Sequence, residues 1–176
     1  RFESRGLGDV YKRQSKRSEA SVQRPSFLTV TMEWTTSGDD VFLRLDPGEE
    51  IHAALQALAD TIDLNAAAVT SGIGRVRASV YGFMDDDHVY HRRTIEGGAE
   101  LVALQGNLAR HQDGHAFTHL HVVLSDDDLV PAAGHLFEAT VHVTAELHLR
   151  RMDAALAMRC PLENSQFTAL RLGDEV

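Results

Sequence analysis

One segment of the chain alternates strictly between apolar and polar side chains. Its apolar positions are Val141, Val143, Ala145, Leu147 and Leu149, and the positions between them are His142, Thr144, Glu146, His148 and Arg150. Successive side chains of a β-strand point to opposite faces of the sheet, so this segment predicts a long strand with one buried and one solvated face. Such strands belong mainly to antiparallel sheets, because parallel sheets are covered on both faces. The chain is therefore expected to fold around an antiparallel sheet.

A single stretch has the periodicity of a helix. Between about residues 48 and 61 the apolar side chains are Ile51, Ala54, Leu55, Leu58 and Ile62, which is the spacing of one helix face. The other apolar patterns predict strands over residues 41–45, 66–70, 76–83, 89–95, 100–108, 117–124 and 167–172. We expect a tight turn at Ser71-Gly72-Ile73-Gly74. The predicted fold class is α+β in two layers, a mainly antiparallel sheet with one main helix.

The first 31 residues differ in charge from the rest of the chain. Of the 17 basic and 26 acidic residues, seven and three lie in residues 1–31, which leaves ten basic and 23 acidic residues, a net charge of −13, in residues 32–176. Residues 9–14 resemble a translated sequencing-adapter sequence. We predict that residues 1–31 are a non-native or disordered extension, adapter-like over 1–14, and that residues 32–176 form a single domain with Met32 as its natural start. The alternative is a basic disordered tail that binds nucleic acid.

The predicted domain is acidic and free of lysine, because Lys12 and Lys16 are the only lysines of the chain. This composition resembles that of proteins from halophilic archaea, whose acidic surfaces remain hydrated at high ionic strength. It also opposes binding to DNA, since DNA phosphates attract clustered Lys and Arg. We therefore expect a halophilic archaeal protein with weak electrostatic support for DNA as a partner.

Cysteine content and hydropathy bear on the compartment. Cys160 is the only cysteine, so the chain has no internal disulfide and fits a reducing environment. No apolar run approaches the roughly 18 residues that a membrane-spanning helix needs. We expect a cytoplasmic protein with no membrane partner.

Three of the ten histidines form a pattern that points to a metal site. His119 and His121 are two apart in a predicted strand, so they share one face of it. His135 follows Gly134, and we expect it to arrive from a glycine-led turn. Three imidazoles are the protein ligands of an open zinc site, which keeps a fourth position for water or substrate. The alternative is a set of core histidines bonded to backbone carbonyls, and spacing alone does not decide between the two.

The other histidines have simpler explanations. His52 and His88 are predicted to lie on the surface, and His91, His111 and His115 lie in polar stretches. His142 and His148 are six residues apart on the alternating strand. At the usual rise of a strand this is roughly 20 Å, so the two cannot share one metal ion.

Motifs of nucleophilic or nucleotide-dependent enzymes are absent from the sequence. Ser71 lacks the Gly-x-Ser-x-Gly context of a nucleophile elbow, and Gly72-Ile73-Gly74 is too short for a dinucleotide-binding fingerprint. Glu138 and Glu146 are the nearest carboxylates in sequence after His135, but the sequence assigns neither as a base.

Five segments occur in an order that resembles the PPC domain (plants and prokaryotes conserved domain). They are Asp46-Pro47-Gly48-Glu49-Glu50, Ser71-Gly72-Ile73-Gly74, Leu104-Gln105-Gly106-Asn107, His119-Leu120-His121 and Gly134-His135-Leu136. The resemblance covers about residues 40–172. It implies an α/β domain built around an antiparallel sheet, assembling as a homotrimer, with His119, His121 and His135 as ligands of a metal ion, zinc. The chain departs from the family pattern at Ala133, which replaces the first glycine of a pair before the third histidine.

The resemblance leaves two classes of function open. The family carries a DNA-binding label from plant relatives that join this domain to AT-hooks, and an AT-hook needs an Arg-Gly-Arg core for the minor groove. No Arg-Gly-Arg occurs here. The first expectation is a DNA-binding or regulatory homotrimer with a three-histidine zinc site. The alternative is a metal-dependent hydrolase or lyase that uses the open coordination position on a small molecule.

Overall fold

The computed structural model describes residues 32–152, 157–162 and 167–173. Within them the chain forms one helix, α1 (Ile51–Thr61), and eight strands: β1 (Glu33–Ser37), β2 (Asp40–Leu45), β3 (Ala66–Met84), β4 (Tyr90–His111), β5 (Ala116–Ser125), β6 (Pro131–Met152), β7 (Ala157–Pro161) and β8 (Thr168–Leu172). A mainly antiparallel sheet with one helix is confirmed. The predicted extension over residues 1–31 lies outside the described residues.

Helix α1 forms because its apolar side chains lie on one face. The buried side chains are Ile51, Ala54, Leu55, Leu58 and Ala59, and this face packs against β5 and β6. The helix begins after Glu50, whose carboxylate accepts a hydrogen bond from the Ala53 amide at 2.8 Å and so satisfies a free donor of the first turn. Within the described residues, no helix is long and apolar enough to cross a membrane.

Four strands pair in a closed circuit. β3 pairs with β4 and β6, and β5 also pairs with β4 and β6. β2 and β1 extend the sheet beyond β6, whereas β7 and β8 extend it beyond β4. The pairing of β7 with β4 is the only parallel one among the described strands. The apolar core is formed by the inner faces of these strands and α1.

The predicted turn at residues 71–74 is wrong, because β3 runs through it without interruption. Its glycines allow close packing instead of a turn. A Cβ atom on Gly72 would lie 2.8 Å from the Leu104 Cβ, and one on Gly74 would lie within 3.0 Å of the Thr144 carbonyl oxygen. The predicted strands at 89–95 and 100–108 are likewise one continuous strand, β4.

The alternation in β6 is confirmed at every predicted inward position except Val143. Val141, Ala145, Leu147 and Leu149 are buried, but Val143 is 56% exposed. The cause is an irregularity in the pairing with β3, where Val141 and Ala145 lie opposite Val76 and Gly74. Residues 141–145 of β6 therefore lie opposite only residues 74–76 of β3, and such a bulge breaks the alternation of the side chains inside it.

His135 comes from a strand, so the prediction of a glycine-led turn is wrong. β6 already begins at Pro131, and Gly134 is paired with Val122. A Cβ atom on Gly134 would lie closer than 3.0 Å to the Gly82 carbonyl oxygen of β3. Glycine at this position allows β6 to approach the β3 backbone and fixes the location of the next residue, His135.

Gly134→Ala should destabilise the fold, because the added methyl group collides with a backbone oxygen that has no rotamer to adopt. Overpacking of this kind costs about 1–3 kcal/mol. Gly97→Ala is the matched control, since a Cβ atom on Gly97 meets nothing within 4 Å. The measurement is the free energy of unfolding in urea. Equal stability of the two variants would contradict the close approach of β6 to β3.

Candidate metal centre

The histidine cluster lies where the β5–β6 hairpin ends. The two strands pair from Ser125 opposite Pro131 to His121 opposite His135. Beyond this pair they separate: β5 continues along β4, with His119 opposite Asn107, and β6 continues along β3, with Leu136 opposite Tyr81. Directly paired residues of antiparallel strands place their side chains on the same face. The register therefore brings His121 and His135 together, and strand alternation adds His119.

The three imidazoles are close enough to share one ion. Their ring centroids are 5.0 Å apart for His119 and His135, 5.2 Å for His119 and His121, and 5.6 Å for His121 and His135. One nitrogen of each ring lies within 4.8 Å of the other two. Three nitrogens at about 2.0–2.1 Å from a tetrahedral zinc ion lie roughly 3.4 Å apart. Small rotations of the imidazoles would therefore bring them to ligand distance.

The cluster is on the sheet face that points away from the core. Leu120, Val122 and Leu124 of β5 are buried, whereas His121 is exposed and His119 and His135 are half-buried. His121, at least, is therefore not packed in the apolar core. A metal ion held here would be reachable from solvent.

Burial and neighbouring positive charges keep two of the imidazoles neutral. The pKa of His119 is lowered to about 4, first by burial and then by Arg159, His121 and His52. The pKa of His135 is also lowered to about 4, again first by burial, with contributions from the neighbouring histidines and Arg92. A neutral imidazole offers the lone pair that a metal needs.

Aromatic rings surround His135. Its ring lies 4.6 Å from the Phe137 ring and 5.2 Å from the Tyr90 ring, measured between centroids. The guanidinium of Arg92 stacks over Phe137 at 4.0 Å. On the other side of the cluster, the Phe167 ring is 6.3 Å from His119. These contacts restrict the imidazoles to a few orientations.

A cavity of about 390 Å³ opens beside the cluster. His119 and His135 line it, together with Arg92, Arg159 and several aromatic side chains. The cavity is located where β5 and β6 separate. A metal ion on the three histidines would therefore be next to a space large enough for a small molecule.

His52 was predicted to be a surface residue, and this prediction is wrong. Its Nδ1 lies 2.7 Å from the Thr118 hydroxyl and its Nε2 lies 3.1 Å from the Leu136 carbonyl oxygen. Burial lowers its pKa, and a carbonyl only accepts, so the neutral ring donates from Nε2 and accepts from Thr118 at Nδ1. His52 thus links β5 to β6 just where the strands separate. The helical pattern gave no signal for this, because His52 lies beside the apolar face of α1.

The remaining histidines lie apart from the cluster. His91 contacts Asp85 at 2.5 Å, His115 contacts Asp113 at 3.2 Å, and His148 contacts Asp40 at 3.1 Å. His88, His111 and His142 are also outside the group of histidines that converge. Glu138 and Glu146 do not line the cavity beside the cluster. His142 and His148 both lie on β6, as predicted, and their separation along the strand keeps them from sharing an ion.

Comparison with known families decides the family of the chain. Residues 32–153, more than two thirds of the chain, match the Plants and Prokaryotes Conserved domain. The chain belongs to this family. The range that matches the PPC domain contains His119, His121 and His135. It ends before β7 and β8. The predicted family is therefore confirmed.

Solved structures share the PPC fold. A candidate DNA-binding protein from Bacteroides thetaiotaomicron is 19% identical, with a TM-score of 0.73 over 80% of this chain and 97% of that chain. A plant- and prokaryote-conserved protein from Pyrococcus horikoshii is 24% identical, with a TM-score of 0.65 over 85% and 99%. A metal-containing protein from Archaeoglobus fulgidus is 26% identical, with a TM-score of 0.64 over 81% and 98%. The comparison with curated proteins finds no match.

Proposed function

We propose that this PPC-domain protein binds a zinc ion through His119, His121 and His135 and acts as a homotrimeric regulatory protein. The observation that carries the proposal is the convergence of three imidazole nitrogens within 4.8 Å of one another, at the mouth of a cavity. The similar protein from Archaeoglobus fulgidus is described as metal-containing, which supports a metal at this fold.

The donor set favours zinc among divalent ions. Three neutral imidazoles suit Zn²⁺, whereas Mg²⁺ and Ca²⁺ prefer oxygen ligands. Three protein ligands leave a fourth position free in a tetrahedral site. With that position open, the ion would act as a Lewis acid towards a molecule bound in the cavity. The chain contributes the orientation of the imidazoles, through the aromatic rings around His135 and His119.

The open face of the sheet supports a homotrimer. Ile73, Val102 and Val123 lie on neighbouring strands and are 56%, 53% and 36% exposed. Val123 is two residues from His121, so this apolar row adjoins the histidine cluster. Contiguous apolar surface of this kind is typical of contacts between subunits.

In light scattering we expect a mass of about 58 kDa, three times the 19.4 kDa of one chain. All three histidines come from one hairpin of a single chain. Removal of the metal with EDTA should therefore leave the mass unchanged. A mass of one chain in the presence of metal would contradict the trimer.

DNA is the proposed regulatory partner because candidate DNA-binding proteins share the fold. The charge distribution of the domain provides little electrostatic attraction for DNA. Arg75, in the basic segment 75–77, is already bound to Glu100 at 2.7 Å and Asp127 at 2.6 Å. A domain with a net charge of −13 must concentrate its remaining arginines to attract phosphates.

A gel shift with the chain starting at Met32 tests the DNA partner. Binding through few arginines should be detectable near 50 mM salt and lost near 200 mM, because counterion release makes phosphate contacts salt-dependent. The protein used in the gel shift is zinc-loaded, and its metal content is measured beforehand. No shift at the lower salt would remove DNA from the proposal and leave the metal site intact.

An enzyme remains the second candidate, because the cavity opens beside a free coordination position. A hydrolase or lyase of this type would also need a base. No carboxylate lines the cavity within the residues that the structure describes. His52 also lines it, but both of its ring nitrogens are already hydrogen-bonded. The arrangement therefore favours metal and ligand binding over hydrolysis.

Elemental analysis tests the metal site. The purified protein should contain one zinc ion per chain, and His119→Ala or His135→Ala should reduce the content strongly, since two imidazoles bind zinc far more weakly than three. His121→Ala should have the same effect despite the exposure of this residue.

His142→Ala is the matched control. His142 is an exposed histidine on β6, the strand that carries His135. This variant should keep a full metal content and a wild-type fold by circular dichroism. Unchanged zinc in the His119 and His135 variants would contradict the site.

A further inference from the structure

The cavity beside the three histidines is positively charged, although the protein around it is acidic. Two arginines, Arg92 and Arg159, line it, and within the described part of the chain no aspartate or glutamate does. We propose that this cavity binds a small organic anion, whose carboxylate or phosphate group contacts the guanidinium groups of Arg159 and Arg92.

Arg159 is a buried cation with no anionic partner among the residues that the structure describes. Its side chain belongs to a residue that is 1% exposed. Nη1 donates to the Thr168 carbonyl oxygen at 2.9 Å, and Nη2 donates to the Asn107 side-chain oxygen. Both acceptors are neutral, and Nε has no hydrogen-bond partner among the described residues.

A buried charge is costly unless an opposite charge accompanies it. The cost is visible in Arg159 itself, because burial lowers the pKa of its guanidinium. The surrounding aromatic rings, with Phe117 at 5.2 Å from the guanidinium carbon, offer only a weak compensation. An anion in the cavity would supply a counter-charge that the described residues do not provide.

Arg92 contributes a second positive charge from β4. Its guanidinium is fixed over the Phe137 ring at 4.0 Å, and Phe137 in turn contacts His135. Arg92 therefore reaches His135 through Phe137, whereas Arg159 is hydrogen-bonded to Asn107, which is paired with His119. Guanidinium groups in such positions bind carboxylate and phosphate oxygens well, through paired N–H donors.

A zinc ion would increase the positive charge further, and in this respect the inference rests on the proposed function. A divalent cation next to two guanidinium groups is destabilised by repulsion. An anion between them relieves it, so zinc and the anion should strengthen each other's binding to the same degree.

The cavity walls indicate an apolar body on the ligand. Tyr90, Phe117, Phe137 and Phe167 line the space of about 390 Å³. Such a volume is at the lower end of small-molecule sites. An acid of the size of a substituted aromatic ring fits both the volume and the lining.

Arg159 lies in β7, beyond the range that matches the family model. The anion site is therefore assembled from the family domain and from the strand that follows it.

Isothermal titration calorimetry with three probes tests the inference. Benzoate and phenyl phosphate carry the two candidate anions on the same ring, and benzamide is the neutral control. We expect at least one anion to bind the zinc-loaded protein at least tenfold more tightly than benzamide, since only the anions form charge-assisted hydrogen bonds with the guanidinium groups. The tighter anion identifies the class, carboxylate or phosphate.

Variants assign the binding to the two arginines. Arg159→Gln and Arg92→Gln should each weaken anion binding about tenfold or more, the loss of one charged hydrogen bond. Arg77→Gln, an exposed arginine outside the cavity, should have no effect. If Arg159→Gln fails to fold, Arg92→Gln carries the test, because Arg92 is exposed. Equal affinity for benzoate, phenyl phosphate and benzamide, or unchanged anion affinity in Arg92→Gln, would overturn the proposal.

Zinc content, measured separately, distinguishes this inference from the proposed function. Anion binding to zinc-free protein that depends on the arginines, together with absent zinc, would support the anion site and overturn the metal site. Zinc binding without binding of any anion would do the reverse.

Discussion

The backbone pairing of His121 with His135 is the contact on which the site depends. It is the last pair of the β5–β6 hairpin, so one register brings two imidazoles to the same face and ends the contact between their strands. A shift of β6 by one residue relative to β5 would turn His135 to the opposite face of the sheet, away from His121. Gly134 protects that register, because only a residue without Cβ lets β6 pass the Gly82 carbonyl of β3.

The separation of the two strands creates the cavity as well as the cluster. His52 fills part of the gap and links the strands through Thr118 and Leu136. The space that remains is bounded by Arg92 of β4 and Arg159 of β7. The acidic residues outnumber the basic ones, but none in the described part of the chain lines this space. A protein with a net negative charge therefore contains a local group of positive charges beside the three histidines.

Much of the fold could be predicted from the sequence, because period-two and helical patterns depend on side-chain burial alone. The shared face of His119 and His121 followed from strand alternation. His135 was predicted from a glycine-led turn, which was wrong, and its place among the family segments supported it. The turn predicted at Gly72 and Gly74 was wrong, since a glycine in a strand marks a close approach as often as a turn. The pairing of His121 with His135 also had a signal in the sequence. If residues 126–130 are read as the loop of a hairpin, Ser125 pairs with Pro131, and counting back along both strands pairs His121 with His135.

The long-range contacts had no such local signal. The hydrogen-bond partners of His52, Thr118 and Leu136, are 66 and 84 positions away along the chain. Asn107, the partner of Arg159, is 52 positions away. Neither contact leaves a periodic trace in the sequence. The most direct test of the metal centre is an anomalous difference map from crystals of the zinc-loaded protein, recorded at the zinc absorption edge. One peak per chain within ligand distance of His119, His121 and His135 is the predicted result. A peak held by other residues, or none at these histidines, would contradict it.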